Sequence, residues 1–558
     1  RAHAGMETIP GNLATASLRC GQAACHPTIV PRVDQSIMTT LRGIVEVDRA
    51  VFGESPSTDG RVAHVDRLGR SAADTHLRQL CASCHLGARK TALGPNGEDA
   101  RGGGCNACHL SYTDTALSAL RRYEHGKPGG SAEAPTEHPA VSLDIGNGQC
   151  FGCHSRSSRI STSYEGWHEV HDPSAAMRRE ARPSPSRWRV LADDRVFERV
   201  IPDVHQERAI DCIDCHTATE VMGDGVAHRR KSEQLRVVCE DCHARPGSAL
   251  ASIAAAEIDP ESRKILTVRQ WPGPVTERFG RTGTGDVLVN VAVDRTGTPL
   301  LVRKRTGDRR PLKPALPVCV EGGGHARLSC GSCHTRWAPR CPTCHTAFDS
   351  RATAYDWVDD TDVVGAWREE SGPFFADLPT LGIRRRASAG DRSSEIVDTF
   401  VPGMVLTIDP GGGPGSAGAI RFRRLYARIE PHTTRREVRS CISCHNDPVA
   451  IGYGTGRLEY ARTAAGGRWR FAPDMTPLAR GDTLPADAWI PFLRPGEGPY
   501  STRDDVRPFG VEEQRRILTV GACLTCHDGA SPVMRDSVRD FGALVARRSS
   551  KCLMPVWE

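Results

Sequence analysis

The stretch LSCGSCHTRWAPRCPTCHT, from Leu328 to Thr346, holds two C-x-x-C pairs separated by seven residues. Four thiolates at this spacing can close a tetrahedral zinc site, and two disulfides are a further alternative. Each pair is followed directly by a histidine, His334 or His345. C-x-x-C-H is the attachment pattern of haem c. Whether the pattern recurs therefore decides between these interpretations.

The pattern recurs along the whole chain. In each motif the two cysteines are predicted to form thioethers with one haem, and the histidine to bind its iron from the proximal side. A wider motif, CGQAACH, precedes nine standard ones, and a Cys20–Cys25 disulfide is the alternative there. In chain order the first to tenth motifs are Cys20/Cys25/His26, Cys81/Cys84/His85, Cys105/Cys108/His109, Cys150/Cys153/His154, Cys212/Cys215/His216, Cys239/Cys242/His243, Cys330/Cys333/His334, Cys341/Cys344/His345, Cys441/Cys444/His445 and Cys523/Cys526/His527. Ten haem c groups are the predicted cofactors.

The composition limits the core that the polypeptide can build by itself. Only 39% of the 558 residues are hydrophobic and 5% are aromatic, with 55 glycines and 38 prolines. A chain this poor in apolar side chains has a thin core, to which each haem would add a large apolar surface. We therefore expect a multihaem cytochrome c fold, mostly coil and short helices wrapped around a haem chain, with small β inserts.

The charge and hydropathy restrict partners and location. The formal net charge is +6, but ten ferric haems with ionised propionates would contribute about −10, so nucleic-acid binding is not indicated. No run of apolar residues is long enough for a transmembrane segment. Because haem c is attached after export and the chain starts at Arg1 without Met, we expect an exported protein, extracellular or on the cell surface in preference to periplasmic.

Two of the 22 cysteines, Cys319 and Cys552, lie outside the motifs. In an oxidising compartment they can form a disulfide, which would tie the end of the chain to its middle. Two buried free thiols are the alternative. The sequence leaves both open.

The spacing of the motifs divides the chain into five predicted regions. These are a six-haem N-terminal region (1–250), a β-rich haem-free insert (251–329), a closely spaced haem pair (330–350), a second β-rich insert (351–431) and a two-haem C-terminal region (432–558). Hydrophobic runs between turn signals predict strands at 265–271, 287–293 and 299–305 and, in the second insert, at 404–408 and 419–429.

Histidines outside the motifs bear on the function. A haem whose sixth iron position holds a side chain carries electrons, whereas an open position can bind and reduce a small molecule. His168 and His171, three residues apart, are predicted to project from one helix face to two haems. His3 lies in a terminal arm that is either disordered or docks on a haem of its own or the next chain. The eleven candidate distal ligands are His3, His64, His76, His125, His138, His168, His171, His205, His228, His325 and His432.

The ten motifs, spread over residues 20–527, resemble those of bacterial multihaem c-type cytochromes of extracellular or periplasmic electron transfer. DVHQERAIDCIDCHT and PHTTRREVRSCISCH also look like segments of that group, and the RAHAG start is similar to the N-termini of filament-forming cytochromes, the extracellular nanowires. The resemblance implies stacked, mostly bis-histidine haems. Residues 251–318 and 351–431 fall outside it.

Electron transfer through a chain of ten haems is therefore the predicted function, with redox partner proteins or an extracellular acceptor as partners and a head-to-tail homopolymer as a further expectation. A multihaem reductase of a small nitrogen or sulfur oxyanion, which needs one open haem, is an alternative. A conduit subunit of the periplasm or outer membrane is another. The predicted role is an electron carrier more than an enzyme, and no catalytic side-chain set apart from haem is found.

Overall fold

The computed structural model describes residues 7–56, 61–97, 100–125, 137–155, 161–173, 186–270, 277–319, 323–385, 395–411, 419–464, 466–476, 483–497 and 503–557. The α-helices in these ranges are Leu13–Ala16, Ile29–Gln35, Ile37–Thr40, Arg42–Phe52, Ala72–Leu80, Cys105–His109, Asp114–His125, Gly148–His154, Ser161–Tyr164, Cys212–Cys215, Ala218–Met222, Lys231–Gln234, Pro260–Arg269, Cys330–His334, Ile442–His445, Pro448–Ile451, Val511–Leu524, Pro532–Arg539 and Phe541–Ala546. Short 3₁₀ helices are Val65–Arg67, Ala82–Cys84, Gln206–Arg208, Cys239–Asp241, Pro317–Cys319 and Gly323–His325.

The strands of the described residues form six sheets. The largest has six strands, with Thr361–Ser371, Thr343–Asp356, Glu395–Asp409, Thr380–Arg385 and Val506–Arg507 in spatial order and Arg421–Arg428 paired with Glu395–Asp409. A five-stranded sheet has the order Arg309–Pro311, Pro299–Val302, Val287–Val293, Arg278–Arg281 and Ser252–Ala254. Smaller sheets pair Leu110–Ser111 with Ala140–Val141, Ala338–Arg340 with Phe375–Asp377, Gly456–Thr463 with Gly466–Pro473, and Val196–Arg199 with both Trp167–Glu169 and Trp188–Val190.

The expectation of mostly coil and short helices with small β inserts was wrong. The six-stranded sheet contains strands of 14 and 15 residues, Thr343–Asp356 and Glu395–Asp409. The two strands run parallel where 343–347 lie beside 405–409, and antiparallel neighbours extend the sheet on both sides. A sheet of this size brings its own apolar faces together, so the polypeptide does not rely on cofactors alone for a core.

Several individual strand predictions are confirmed and one is wrong. Strands occur at Val287–Val293 and Pro299–Val302, and residues 404–408 and 421–428 lie in strands of the large sheet. Residues 265–269, predicted as a strand, belong instead to the helix Pro260–Arg269. The side chain of Asp259 accepts the N–H of Ser262 and Pro260 occupies the first turn, which is a helix start that outweighs the β-branched residues after it.

The core of the large sheet is aromatic. Trp489 and Phe400 are fully buried, with ring centres 5.0 Å apart, and the ring centre of Tyr426 lies 5.2 Å from that of Trp489. Beside this cluster Asp398, only 2% exposed, accepts from the guanidinium groups of Arg384 at 2.9 Å and Arg428 at 2.5 Å. The sheet therefore encloses both an apolar cluster and a compensated buried charge.

Within the described ranges, no helix is both long and apolar enough to cross a membrane.

Candidate functional site

Most of the predicted motifs adopt one helical turn. The second, third, fourth, fifth, sixth, seventh and ninth motifs overlap short α or 3₁₀ helices, and the tenth begins at the end of the helix Val511–Leu524. In four motifs the histidine N–H donates to the carbonyl of the first cysteine, at 3.0 Å for His216, 2.8 Å for His243 and 2.9 Å for His445 and His527. Residues i, i+3 and i+4 of such a turn share a face, so both thiols and the imidazole point to one side.

The wide first motif closes in the same way. The N–H of His26 donates to the carbonyl of Cys20 at 3.0 Å, as in the standard motifs, although two more residues lie between the cysteines. The thiols of Cys20 and Cys25 are free in the structure and not joined as a disulfide. The extra residues thus widen the loop without breaking the turn that ends at the histidine.

Cys526 is the second cysteine of the tenth motif. It is an exposed thiol, whereas Cys523 of the same motif is only partly exposed. The helix Val511–Leu524 ends before Cys526, so this side chain lies past the packed turns of that helix. A haem bound here would therefore have one edge at the protein surface. The other motif cysteines with exposed side chains are Cys25, Cys215 and Cys239.

Three motif histidines face a histidine from a distant part of the chain. The ring centres of His216 and His432 are 6.3 Å apart, those of His243 and His205 6.2 Å, and those of His445 and His325 6.2 Å. The planes within the pairs differ by 34°, 46° and 38° respectively. Each pair consists of one predicted proximal and one predicted distal ligand.

These separations suit one metal ion held between two imidazoles. With a metal–nitrogen bond of about 2 Å and about 1.1 Å from that nitrogen to the ring centre, two rings on opposite sides of an iron have centres about 6.2 Å apart. Direct van der Waals packing of two rings would not require this spacing in three separate places. The histidines therefore fit a bis-imidazole iron.

The outer nitrogens of the paired rings are oriented by acceptors. Nδ1 donates to a carbonyl oxygen in His243, His445 and His432, at 2.8, 2.9 and 2.8 Å. In His205 and His216, Nδ1 lies 2.9 Å from Asp203 and 3.3 Å from Glu220. A proton held on Nδ1 leaves the Nε2 lone pair for a metal, which is the usual second shell of a metal-bound histidine. Asp203 and Glu220 were not predicted from the sequence, where no signal beyond proximity to a histidine marks them.

Other motif histidines have related surroundings. Nδ1 of His109 and of His334 each donates to a backbone carbonyl, of Ser142 and Arg435, at 3.0 Å. Burial, with His216 and His432 nearby, lowers the pKa of His154 to about 4, and burial lowers the pKa of His445 to about 4. Both rings are thus neutral near pH 7, as a metal ligand must be.

His76 is a further buried candidate. It is 7% exposed, and its Nδ1 lies 3.1 Å from a carboxylate oxygen of Asp48, while its Nε2 has no hydrogen-bond partner. Its ring packs edge-on against Trp367, 5.7 Å between centres. Trp367 in turn belongs to the same apolar cluster as Cys344. His76 therefore lies close to the eighth motif, although the second motif is the one that follows it in the chain.

The remaining candidates are less clearly placed at a motif. His64 and His85 lie on either side of Asp66, 3.8 and 3.6 Å from its carboxylate oxygens. Both carboxylate oxygens of Asp224 lie within 3.1 Å of Nε2 of His228. His138 is exposed. His125 ends the helix Asp114–His125, but its side chain, like all of His3, lies outside the described residues.

The prediction that His168 and His171 share a helix face was wrong. His168 lies in the strand Trp167–Glu169 and is buried against Trp337, with ring centres 5.9 Å apart. His171 follows that strand, is exposed and contacts Phe374. Residues three apart on extended backbone point to opposite sides, so the two imidazoles do not serve neighbouring sites together.

The eighth motif differs from the others. Cys344 and His345 belong to the strand Thr343–Asp356, which is paired on both sides in the large sheet. Cys344 is 9% exposed and its thiol lies 2.9 Å from a carboxylate oxygen of Glu369. Successive residues of a strand point to opposite faces, so a single haem here requires the start of this strand to leave the sheet. This motif fits haem attachment less well than the others.

The zinc and disulfide interpretations of Leu328–Thr346 gain no geometric support. Cys330 is a neighbour of Cys239, which belongs to the sixth motif. Among the described residues, no group of three or more His, Cys, Asp or Glu side chains is arranged to hold a bare metal ion. Cys319 and Cys552 are both exposed free thiols here, not buried and not bonded to each other. Of the two alternatives that the sequence left open, a disulfide or free thiols, the structure has free thiols.

No family model, no curated protein and no solved structure matches the chain. The resemblance to multihaem cytochromes therefore rests on the sequence patterns alone.

Proposed function

We propose that the chain carries electrons through covalently bound haem c groups, most of them ligated by two histidines. The observation that supports this most directly is the set of three imidazole pairs, His216 with His432, His243 with His205 and His445 with His325, at 6.2 to 6.3 Å. Each pair joins a motif histidine to one outside the motifs. Haem would supply the redox chemistry at these places, and two imidazoles leave no iron position for a substrate.

The protein's own residues bind and orient the cofactor in this proposal. The helical turns present two thiols and an imidazole on one side, and acceptors such as Asp203 and Glu220 fix the tautomer and orientation of the rings. A neutral, oriented imidazole is made more basic by its acceptor, which favours the ferric over the ferrous state. The polypeptide thereby sets low potentials suited to electron transport. Location outside the cell and assembly into filaments remain part of this proposal.

Intact mass and low-temperature EPR test it together. The holoprotein is expected to exceed the polypeptide mass by ten haems, or by nine if the eighth motif stays in the sheet. The oxidised protein should show low-spin ferric signals from the paired sites. A mass equal to that of the polypeptide would refute haem attachment, and predominantly high-spin iron would refute bis-histidine ligation.

A reductase of a small nitrogen or sulfur oxyanion is the second candidate, because two expected ligands are engaged elsewhere. His228 is bound by Asp224 and lies 3.8 Å from Glu233, and His171 is exposed beside Phe374. If these imidazoles stay where they are, at least one iron keeps an open sixth position. A high-spin EPR signal that changes on addition of nitrite, hydroxylamine or sulfite would support this candidate.

A further inference from the structure

The motifs contact one another in an order that differs from their order in the sequence. Thiols of different motifs are neighbours at three places: Cys20 with Cys105, Cys150 with Cys212, and Cys239 with Cys330. Each thiol is the attachment point of one haem edge in the proposed function. Neighbouring sulfur atoms of two motifs therefore bring the edges of two haems together. These contacts join the first motif to the third, the fourth to the fifth and the sixth to the seventh.

Backbone and side-chain contacts supply two further links in the first half of the series. The side chain of Gln149, in the helix of the fourth motif, donates to the carbonyl of Cys108 in the third motif at 2.6 Å. Glu220 lies 3.3 Å from His216 of the fifth motif and also accepts the N–H of Val237, just before the sixth motif, at 2.6 Å. The third motif thus adjoins the fourth, and the fifth adjoins the sixth.

The second half of the series omits the eighth motif. The carbonyl of Cys333, in the seventh motif, accepts the N–H of Arg439, two residues before the ninth motif, at 2.9 Å. The ninth motif adjoins the tenth through His445, whose Nδ1 donates to the carbonyl of Ile517 at 2.9 Å, and through Cys441, whose sulfur lies 3.8 Å from the carbonyl of Gly529. None of these three contacts involves Cys341 or Cys344.

The second and eighth motifs have other surroundings. The N–H of Gly104, just before the third motif, donates to the carbonyl of Leu86, just after the second, so the second motif lies beside the third. The eighth motif lies in the large sheet, where Cys344 packs with Phe52 and Trp367. Six residues separate His334 from Cys341 in the sequence, but the neighbours of the seventh motif come from the sixth and the ninth.

We propose that eight motifs form one line in space, in the order first, third, fourth, fifth, sixth, seventh, ninth and tenth, and that the second and eighth motifs lie beside this line. The inference rests on the proposed function, since it takes the motifs to carry haem. All three imidazole pairs, at the fifth, sixth and ninth motifs, fall on the line. Electrons entering at the tenth motif would pass the seventh on their way to the fifth and would not need the eighth.

A flash experiment on the holoprotein tests this order. Cys552 is exposed beside Cys523 of the tenth motif, and in a Cys319→Ser background it is the one cysteine outside the motifs. A photoreducing ruthenium label on Cys552 injects an electron at the tenth motif. His432→Met raises the potential of the fifth haem, because a His/Met iron is easier to reduce than a bis-histidine iron. The fifth haem then becomes the final acceptor, and its absorbance reports the arrival of the electron.

Two deletions form the comparison. Removal of the seventh haem by Cys330→Ala and Cys333→Ala is expected to slow arrival at the fifth haem by more than an order of magnitude. Removal of the eighth by Cys341→Ala and Cys344→Ala is expected to change the arrival rate much less. The order is overturned if the eighth deletion slows arrival as much as the seventh, or if the seventh deletion leaves arrival unchanged. Intact mass verifies the haem count of each variant.

A further variant tests the same point in case the variant without the seventh haem does not fold. His334→Met retains both thioethers but raises the potential of the seventh haem, so the electron is expected to stop there and the fifth haem to stay oxidised. Normal arrival at the fifth haem in this variant also overturns the order. Failure of the proposed function gives a different result, since the parent protein would then lack haem by mass or show no reduced haem after the flash.

Discussion

Asp203 connects two of the imidazole pairs, and its replacement tests how the ligands are oriented. The side chain is 2% exposed. One carboxylate oxygen lies 2.9 Å from Nδ1 of His205 and accepts the His205 N–H at 2.8 Å. The other accepts the N–H of Thr434 at 2.5 Å, two residues after His432. We expect Asp203→Asn to disturb both the fifth and the sixth haem while leaving the other sites unchanged.

The size of the effect follows from these contacts. An amide accepts through one oxygen only, so its NH₂ group must face one of the former donors, which costs about 1–3 kcal/mol of folding free energy. Loss of the acceptor behind a metal-bound histidine typically weakens the metal bond by about 10- to 100-fold, or about 1.4–2.7 kcal/mol. If the iron–histidine bond is weakened only in the ferric state, the reduction potential of that haem rises by about 60–120 mV for a one-electron couple.

Spectropotentiometric titration and EPR of Asp203→Asn measure this directly. Two haems should move to higher potential, and two low-spin EPR signals should shift. Asp224→Asn is the matched control, because Asp224 holds His228, which is not paired with a motif histidine. The reasoning is refuted if Asp203→Asn leaves all potentials unchanged, or if the control shifts the same two haems by the same amount.

Three further predictions concern the scaffold and the wide motif. Asp398→Asn should lower the free energy of unfolding by about 3–5 kcal/mol, because Arg384 and Arg428 lose a buried partner. Chemical denaturation measures this free energy. A loss below about 1 kcal/mol would contradict the prediction. Burial raises the pKa of Asp398, but Arg428 and Arg384 outweigh it and leave the pKa below its ordinary value of 3.8. The stabilisation by Asp398 is therefore complete above that value and lost as the pH falls through the lower folded pKa, so acid unfolding of Asp398→Asn should be less steep than that of the parent. Trp489→Ala should lower the free energy of unfolding by about 3–5 kcal/mol. Trp357→Ala, at a side chain 45% exposed, should lower it far less. Equal losses of stability in thermal melts of the two variants would argue against the aromatic core. Cys20→Ala with Cys25→Ala should reduce the intact mass by one haem, and an unchanged mass would show that the wide motif carries none.

The C-x-x-C-H motifs could be read from the sequence because each is a local pattern, and most of them fold into a single helical turn. The sequence did not predict which histidines meet. His205 precedes the fifth motif by seven residues but faces His243 of the sixth, and His432 precedes the ninth motif but faces His216 of the fifth. A distal ligand must approach from the side opposite the motif, and only the long-range fold decides which segment lies there.

The size of the large sheet was underestimated from the sequence for a related reason. Its strands pair residues far apart in the chain, such as 343–347 with 405–409, and the charged residues at many exposed positions hide the alternation that predicts a strand. By contrast, the helix Pro260–Arg269 carried a readable start, Asp259–Pro260–Glu261, which the β-branched residues after it outweighed in the sequence analysis.

The long sequence separation within the imidazole pairs has a consequence for how the chain is held together. An iron bound by both His216 and His432 closes a loop of about 216 residues, and one bound by His325 and His445 closes a loop of about 120. On the chain-entropy model used for disulfides, cross-links over loops of this size restrict the unfolded chain by about 5 kcal/mol each. The irons would then act as removable cross-links between segments that lie far apart in the sequence. Reagents that displace an axial imidazole would loosen the tertiary structure without breaking a covalent bond.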